Sequence, residues 1–304
     1  MRKATKHQNQ QTKAYEHFEG GLNTSSAEEF IGENQLSECI NMQCDVVTKH
    51  LVTCKGTINL MALKEQFPNA EDILFGAWDN INDYLLVFTK NGEIYATDDF
   101  YDRFELVGEL TGAQDVVTCS WEDGILIASG GKLQYGKFNG SKYKVSTIKN
   151  SPESCRCVFV RSGRVIIFGH KAGDDTDDYA YYSAVGDEET WETDVNDPSL
   201  AQFAQIGYKV GGKLLAACNL GPDVLFVKDN GMCFRMENEY PEWRLKEVGR
   251  EIYCYNPNSL CAAGGATVLM AGAQNMYKLV TTEEYGISKA KRPFNSRLDK
   301  SKLV

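Results

Sequence analysis

The sequence is poor in the residues that build catalytic or metal sites. It has only four histidines, which lie far apart and show neither HxH nor HExxH spacing. It contains no GxSxG elbow, no P-loop and no GxGxxG that opens a helix. We therefore expect neither an enzyme nor a cofactor-binding protein, with glycosidase chemistry by paired acids as the remaining catalytic alternative.

Long apolar runs are missing as well. No run approaches the ~20 apolar residues of a membrane helix, and the opening MRKATKHQNQQTK has no apolar core of a secretory signal. We expect no membrane span and synthesis in a cytoplasm. The ten cysteines include no CxxC pair. We interpret seven that lie in apolar runs as reduced core thiols, rather than as a disulfide framework or a zinc site: Cys119, Cys155, Cys157, Cys218, Cys233, Cys254 and Cys261.

Cations are concentrated at the two ends of the chain, whose net charge is −10. Residues 1–14 carry four cations and no acid, and residues 289–304 carry six cations and Asp299. The N-terminal end therefore has a net charge of +4 and the C-terminal end one of +5, so the residues between them carry a net charge of −19. This acidic body argues against general affinity for nucleic acid, which depends on cations that neutralise phosphates.

The basic ends have two interpretations. They are either solubilising tails or arms, over residues 1–17 and 287–304, that dock on acidic neighbouring subunits. In the docking interpretation the contact residues of the arms are Arg2, Lys3, Lys6, Lys13, Lys289, Lys291, Arg292, Arg297, Lys300 and Lys302.

What the sequence does contain is a recurring pair of short strands. Copies lie at residues 72–98, 116–138, 155–171, 211–236 and 258–280, with spacings of 40, 39, 60 and 44 between equivalent apolar positions. Asn91-Gly92 and Asn230-Gly231 predict hairpins, since a type I′ turn needs positive φ at both central residues. Outer strands are predicted to follow at Phe104–Val107, Tyr143–Ser146 and Arg244–Val248.

Three or four strands in about 40–45 residues, repeated five times, are typical of propeller blades. We predict an all-β fold, a single β-propeller of five or six blades over residues 18–286 with extended N- and C-terminal arms. In this prediction Cys44–Ile58 is available to complete a blade. A β-sandwich uses similar strands but lacks the fixed period.

The long spacing predicts a loop insertion at about residues 173–198, which is rich in carboxylates. Long surface loops cost little entropy, so we interpret the insertion as a solvated acidic loop. A bound cation is the weaker alternative, although the stretch does not match an EF-hand loop. Its ligands would be Asp174, Asp175, Asp177 and Asp178.

Two phrases resemble a known family. The stretch Phe18–Asp45 is similar to the start of phage virion propeller proteins at Gly20, Gly21, Leu22, Asn23, Asn34, Gln35, Asn41 and Met42. The phrase YYSAVGDEETWE resembles a second signature of that group, at Arg164, Tyr182, Ser183, Gly186, Asp187, Thr190 and Trp191. The family comprises the head-closure (DNA-stabilisation) and tail-nozzle proteins of short-tailed phages, and the resemblance covers roughly residues 18–285.

The resemblance implies a structural virion protein, made in the host cytoplasm and arranged as a sixfold ring around the DNA exit channel. Its partners would be copies of itself, a portal, adaptor or other tail protein, and passing DNA held without sequence-specific binding. In this hypothesis Asp187, Glu188, Glu189 and Trp191 form a rim or subunit contact. The alternative is a stand-alone propeller that binds a glycan or another host-surface ligand.

Overall fold

The computed structural model describes residues 18, 20–23, 30–40, 42–45, 47–48, 50–53, 61–98, 103–113, 115–169, 177–194, 196–238, 241–264, 267–272, 276–282 and 286–291. The chain divides into two compact units. The described parts of these units are residues 18–53 and residues 61–291. Almost all regular structure in both is β-strand.

The described residues of the first unit form two small sheets. Strands β1 (Gly21–Leu22) and β2 (Gln35–Leu36) pair in parallel. Strands β3 (Met42–Cys44) and β4 (Leu51–Thr53) form an antiparallel hairpin of their own. The prediction that Cys44–Ile58 completes a propeller blade is therefore wrong for its described residues, because the hairpin pairs only with itself.

The second unit begins with a short helix, α1 (Met61–Gln66). Among the described residues, no helix is long and apolar enough to cross a membrane. In the described part of this unit, twenty strands follow and form five four-stranded antiparallel sheets, each from one contiguous stretch of chain.

The strands of sheet one are β5 (Ile73–Asp79), β6 (Tyr84–Thr89), β7 (Glu93–Thr97) and β8 (Glu105–Glu109). Those of sheet two are β9 (Val117–Trp121), β10 (Gly124–Ala128), β11 (Gln134–Phe138) and β12 (Tyr143–Thr147). Those of sheet three are β13 (Cys157–Arg161), β14 (Arg164–Gly169), β15 (Tyr179–Tyr182) and β16 (Gln202–Gln205). Those of sheet four are β17 (Leu214–Leu220), β18 (Asp223–Lys228), β19 (Cys233–Glu237) and β20 (Arg244–Gly249). Those of sheet five are β21 (Leu260–Ala262), β22 (Thr267–Ala271), β23 (Met276–Thr282) and β24 (Gly286–Lys291).

Apolar faces of successive sheets pack against each other. The first strands of sheets two to five pack in series, β9 on β13, β13 on β17 and β17 on β21. Buried apolar clusters lie between sheets one and two, across sheets two to four, and between sheets four and five. One four-stranded sheet cannot bury both of its faces alone, so this packing supplies the core.

The series of sheets curves back on itself. The Asn258 side-chain amide, just before β21, donates to the Val116 carbonyl, just before β9, at 2.8 Å. Packed sheets lie about 10 Å apart, so a straight stack would separate sheets two and five by about 30 Å. The second unit is therefore propeller-like, as the strand repeat predicts.

The predicted hairpins are confirmed, but their predicted turn type is wrong. Gly92 and Gly231 have φ of 85° and 82°, whereas Asn91 and Asn230 are not among the residues with positive φ. Each glycine amide bonds back three residues, Gly92 to Thr89 at 3.0 Å and Gly231 to Lys228 at 3.1 Å. Each turn thus needs only one left-handed residue, the glycine.

The predicted single insertion at 173–198 is also wrong. Strand β15 lies inside it and pairs with β14 and β16. The two acidic segments therefore lie at opposite ends of this strand. At the C-terminal end, β24 continues to Lys291, so Lys289 and Lys291 lie in the outer strand of sheet five rather than beyond the last sheet.

Candidate interaction face

Because successive strands of each sheet run in opposite directions, the connections between them alternate between the two ends of the strands. Connections between first and second strands and between third and fourth strands lie at one end, which we call one edge of the second unit. The remaining connections lie at the other edge. Contacts between sheets show that these edges align: Ser120 donates to Asn80 at 2.9 Å and Asn219 donates to the Val160 carbonyl at 2.9 Å. Each of these contacts joins the ends of first strands in adjacent sheets.

Among the described connecting residues, those at one edge carry most of the negative charge. We call this edge the acidic face. Its described connecting residues include two cations, Arg103 and Lys142, and eleven carboxylates: Asp83, Asp98, Glu122, Asp123, Asp187, Glu188, Glu189, Glu192, Asp194, Asp197 and Glu242. This face therefore favours cationic partners and repels phosphates.

The opposite face is nearly balanced. Its described connecting residues include seven cations, Lys90, Lys132, Lys149, Arg156, Lys209, Lys213 and Arg250. They also include six carboxylates, Asp115, Glu153, Asp177, Asp178, Asp229 and Glu251. The charge of the described loops is thus strongly asymmetric along the strand direction, from one face to the other.

The connection from β15 to β16, residues 183–201, supplies six of the acidic carboxylates and is held by a buried arginine. Arg164 is 8% exposed. Its guanidinium donates to the Ser183 carbonyl at 2.5 Å, to the Leu200 carbonyl at 2.8 Å and to the Pro198 carbonyl. Because these carbonyls come from both ends of the loop, one rigid, planar donor group fixes the loop's base.

The loop has a second internal support at Asp187. Its carboxylate accepts from the Glu189 amide at 2.8 Å and from the Thr190 hydroxyl at 2.7 Å. These hydrogen bonds, the Thr190 hydroxyl first, lower the pKa of Asp187 below its ordinary value. Gly186 precedes it with φ of 69° and donates its amide to the Gly163 carbonyl at 2.7 Å. Asp187 therefore stays ionised and shapes the turn.

A third support joins the loop to sheet two. The indole nitrogen of Trp121, which is 6% exposed, donates to Glu188 Oε2 at 3.0 Å. Trp191 donates its indole N–H to the Glu188 carbonyl at 2.8 Å and packs against the central apolar cluster. Of the four loop residues predicted as a contact, Trp191, Asp187 and Glu188 thus have internal roles, while Glu189 is exposed.

The residues of the second phrase of the resemblance come together here. Arg164, Ser183, Gly186, Asp187, Thr190 and Trp191 all lie in or under the loop, and Tyr182 ends the strand that leads into it. Their arrangement organises a loop and leaves Glu189, Glu192 and Asp194 exposed. Among the described residues, no group of three His, Cys, Asp or Glu side chains is placed to hold a metal ion.

The first phrase also forms a local structure, in the first unit. Gly20 donates its amide to the Asn34 carbonyl at 2.9 Å, and Asn23 donates its amide to the Leu36 carbonyl at 2.7 Å. The Asn23 side chain donates to Gln35 Oε1 at 3.0 Å. A Cβ on Gly20 would lie 2.6 Å from Asn34, so glycine is required there. Asn41 lies outside the described residues.

The weaker cation hypothesis finds no support at its two described residues. Asp177 pairs with Arg156 at 2.6 Å and with Lys213 at 3.1 Å. Burial raises the pKa of Asp177, but its bonds to these two cations outweigh burial and lower it overall. Asp178 lies 3.6 Å from the fully buried Lys228. Both carboxylates are thus paired with protein cations, on the face opposite the acidic face.

Most predicted arm contacts lie outside the described residues. These are Arg2, Lys3, Lys6, Lys13, Arg292, Arg297, Lys300 and Lys302, together with the cation candidates Asp174 and Asp175. The sequence patterns did not single out the contribution of sheet two to the acidic face. The tight turn Trp121-Glu122-Asp123-Gly124 could have predicted this contribution, because a two-residue turn projects its acidic side chains beyond the end of the sheet.

Comparisons with known proteins show a fold and no family. No family model and no curated protein matches the chain. An extracellular domain from B. thetaiotaomicron, assigned to a hybrid two component system, aligns with TM-score 0.50 and 12% identity. That alignment covers 76% of this chain and only 28% of the other.

Two further structures align over similar lengths. The β-propeller domain of Myceliophteria thermophila Cps50 (Swd1) has TM-score 0.49 and 8% identity, and covers 75% of this chain and 74% of its own. BamB from Moraxella catarrhalis has TM-score 0.46 and 12% identity, and covers 73% of this chain and 63% of its own.

Proposed function

We propose that this protein is a structural component of a bacteriophage tail or head–tail connector, a nozzle or closure protein of a ring around the DNA exit channel. It acts through subunit contacts and not through catalysis. In this proposal the second unit is a five-bladed propeller, since five sheets are described and the stack curves back on itself. The partners are copies of itself and a portal, adaptor or other tail protein.

The main support for the proposal is the acidic face with its loop at residues 183–201, which we call the braced loop. Three supports, from Arg164, Asp187 and Trp121, hold a loop whose outer carboxylates make few internal contacts. A loop fixed in this way loses little entropy on docking, which favours assembly. The same charge repels DNA phosphates, and a conduit for a sliding polymer benefits from weak binding.

The first experiment locates the polypeptide in purified particles. We expect mass spectrometry to find it in virions, and labelled antibody to place it at the tail or the head–tail junction. Particles at virion density that lack the protein would refute the structural role. Removing residues 1–17 and 292–304, which spares β24, should leave the sheets folded and reduce incorporation, because the basic ends then no longer reach acidic neighbours.

A charge test separates the two faces. Glu122→Gln, Glu189→Gln and Glu192→Gln together remove three exposed carboxylates from the acidic face. Asp115→Asn, Glu153→Gln and Glu251→Gln remove three exposed carboxylates from the opposite face and serve as the matched control. We expect only the first set to lower incorporation. Equal effects of both sets would show that net charge matters and the acidic face does not.

A further inference from the structure

A polar cavity opens at the acidic face between sheets one and two, away from the braced loop. Its volume is about 240 Å³, and its walls include Tyr84, Thr97, Asp98, Glu105, Lys142 and Tyr143. Pockets for drug-sized ligands are roughly 300–1,000 Å³. This cavity is therefore suited to a single ring-sized group.

Aromatic rings form one wall of the cavity. Tyr84 contacts two rings of sheet two, Phe138, stacked at 5.8 Å between ring centroids, and Tyr143 at 4.8 Å. Tyr143 is held in turn, because its hydroxyl donates to the buried Asp79 at 2.7 Å. Burial first, and then the carboxylates of Asp98 and Glu105, raise the pKa of Tyr84, so its hydroxyl stays protonated at neutral pH.

Groups that bind hydroxyls form the rest of the lining. Asp98 and Glu105 supply carboxylate acceptors, while Lys142 and Arg103 supply N–H donors. Arg103 and Glu105 pair at 3.1 Å on the exposed rim. Because both signs of charge are present, the cavity does not select a simple anion or cation.

Thr97 adds an unsatisfied hydroxyl to the lining residues of the cavity. It is 2% exposed, and its hydroxyl oxygen has no hydrogen-bond partner among the described residues. A buried hydroxyl without a partner costs free energy, and an ordered water or another bound group normally satisfies it. Thr97 ends β7, at the base of the cavity wall.

We propose that this cavity binds one pyranose ring of a saccharide. A pyranose has an apolar C–H face that packs on aromatic rings, and a rim of hydroxyls that donate and accept at once. The cavity offers an aromatic wall beside carboxylates, cations and an unsatisfied hydroxyl. This inference goes beyond the proposed assembly role, since it gives the protein a ligand of its own.

Saturation-transfer difference NMR on the full chain tests the site, with methyl glucoside, methyl galactoside and methyl mannoside as probes. We expect saturable transfer from the protein to at least one of them, concentrated on C–H protons of one ring face. Tyr84→Ala should abolish the transfer. Thr97→Val keeps the side-chain shape and should weaken binding about twofold to tenfold, the effect of losing one neutral hydrogen bond.

Controls address folding and non-specific stacking. Tyr208→Ala removes a tyrosine that is 67% exposed on the opposite face and should leave binding unchanged. Glu105→Gln and Lys142→Gln alter exposed side chains, so they should weaken binding without unfolding the protein. The proposal fails if no probe binds saturably, or if Thr97→Val, Glu105→Gln and Lys142→Gln all bind as the wild type does. The NMR experiment uses isolated protein. Its outcome therefore does not decide the proposed assembly role, which the particle experiments test separately.

A longer saccharide distinguishes the two sources of this chemistry. A surface polysaccharide that ends in the preferred pyranose should compete with the methyl glycoside if the cavity serves host recognition. Competition by the free sugar alone would assign the site to a small soluble ligand.

Discussion

Trp121 in sheet two donates its indole N–H to Glu188 of the loop on sheet three, with 3.0 Å between Nε1 and Oε2. The backbone carbonyl oxygen of Trp121 also accepts a hydrogen bond from the Tyr135 hydroxyl, with 2.9 Å between the two oxygens. A single residue therefore connects the body of one sheet with the acidic loop of the next.

Glu188→Ala should destabilise the protein by about 1–2 kcal/mol, because it leaves a buried indole N–H without an acceptor. Glu188→Gln keeps an oxygen acceptor and should cost less. Urea denaturation measures both. Glu189→Ala, next in sequence and exposed, is the control and should change the free energy of unfolding by less than about 0.5 kcal/mol. Equal costs for Glu188→Ala and Glu189→Ala would contradict this role of the indole bond.

Arg164→Met should release the base of the acidic loop. The variant loses donors to three carbonyls, and we expect about 2–4 kcal/mol of destabilisation. Hydrogen exchange should rise at residues 183–201 more than in sheet five. Arg164→Lys should recover only part of the protection, because an ammonium lacks the planar fork. Unchanged exchange in the loop of Arg164→Met would show that the loop is held by other contacts.

Lys228 should make stability depend on pH in the alkaline range. It is fully buried, and burial lowers its pKa below 10.5 despite the opposing charge of Asp178. Since the unfolded chain then binds more protons, the contribution of Lys228 to the free energy of unfolding rises as pH increases toward 10.5. At lower pH the buried ammonium is disfavoured.

The test compares wild type with the double variant Lys228→Met/Asp178→Asn, which removes both charges. Their difference in free energy of unfolding should move in favour of the wild type between neutral pH and 10.5. Lys213→Met, which removes an exposed lysine on the same face, should show no such trend. A pH-independent difference for the double variant would contradict the lowered pKa.

The core cysteines should resist alkylation in the folded protein. Burial raises the pKa of Cys155, Cys157, Cys218 and Cys233 to about 12. Thiolate is the reactive form, so iodoacetamide at pH 8 should modify exposed Cys261 long before these four. Mass spectrometry identifies the modified cysteines, and labelling after denaturation should show that these five cysteines are free thiols. Fast native labelling of Cys157 would indicate that sheets two and three separate.

The strand order could be predicted from the sequence because period-two patterns and turn glycines are local signals. These signals predict the outer strands that begin near Phe104, Tyr143 and Arg244, and the predicted bounds agree with the observed ones to within one or two residues. The acidic interpretation of residues 187–197 also holds, since these side chains are mostly exposed or half-buried.

Features that depend on contacts between sheets could not be predicted. Tyr179–Tyr182 is too short to stand out as a strand between two acidic segments. Lys228 ends an apolar strand and resembles a solvent-facing residue, yet it is fully buried beside Asp178. Likewise, the cavity near Tyr84 exists only because sheet two places Tyr143 beside it.

The uneven charge of the described loops gives the second unit an electric dipole moment along the direction of its strands, from one face to the other. A charged partner exerts a torque on such a dipole at distances up to about 10 Å in 0.1 M salt. The second unit therefore turns its acidic face toward a cationic surface before any atoms touch. Rising ionic strength should weaken this orientation and slow productive encounter, while leaving the contacts of the bound state in place.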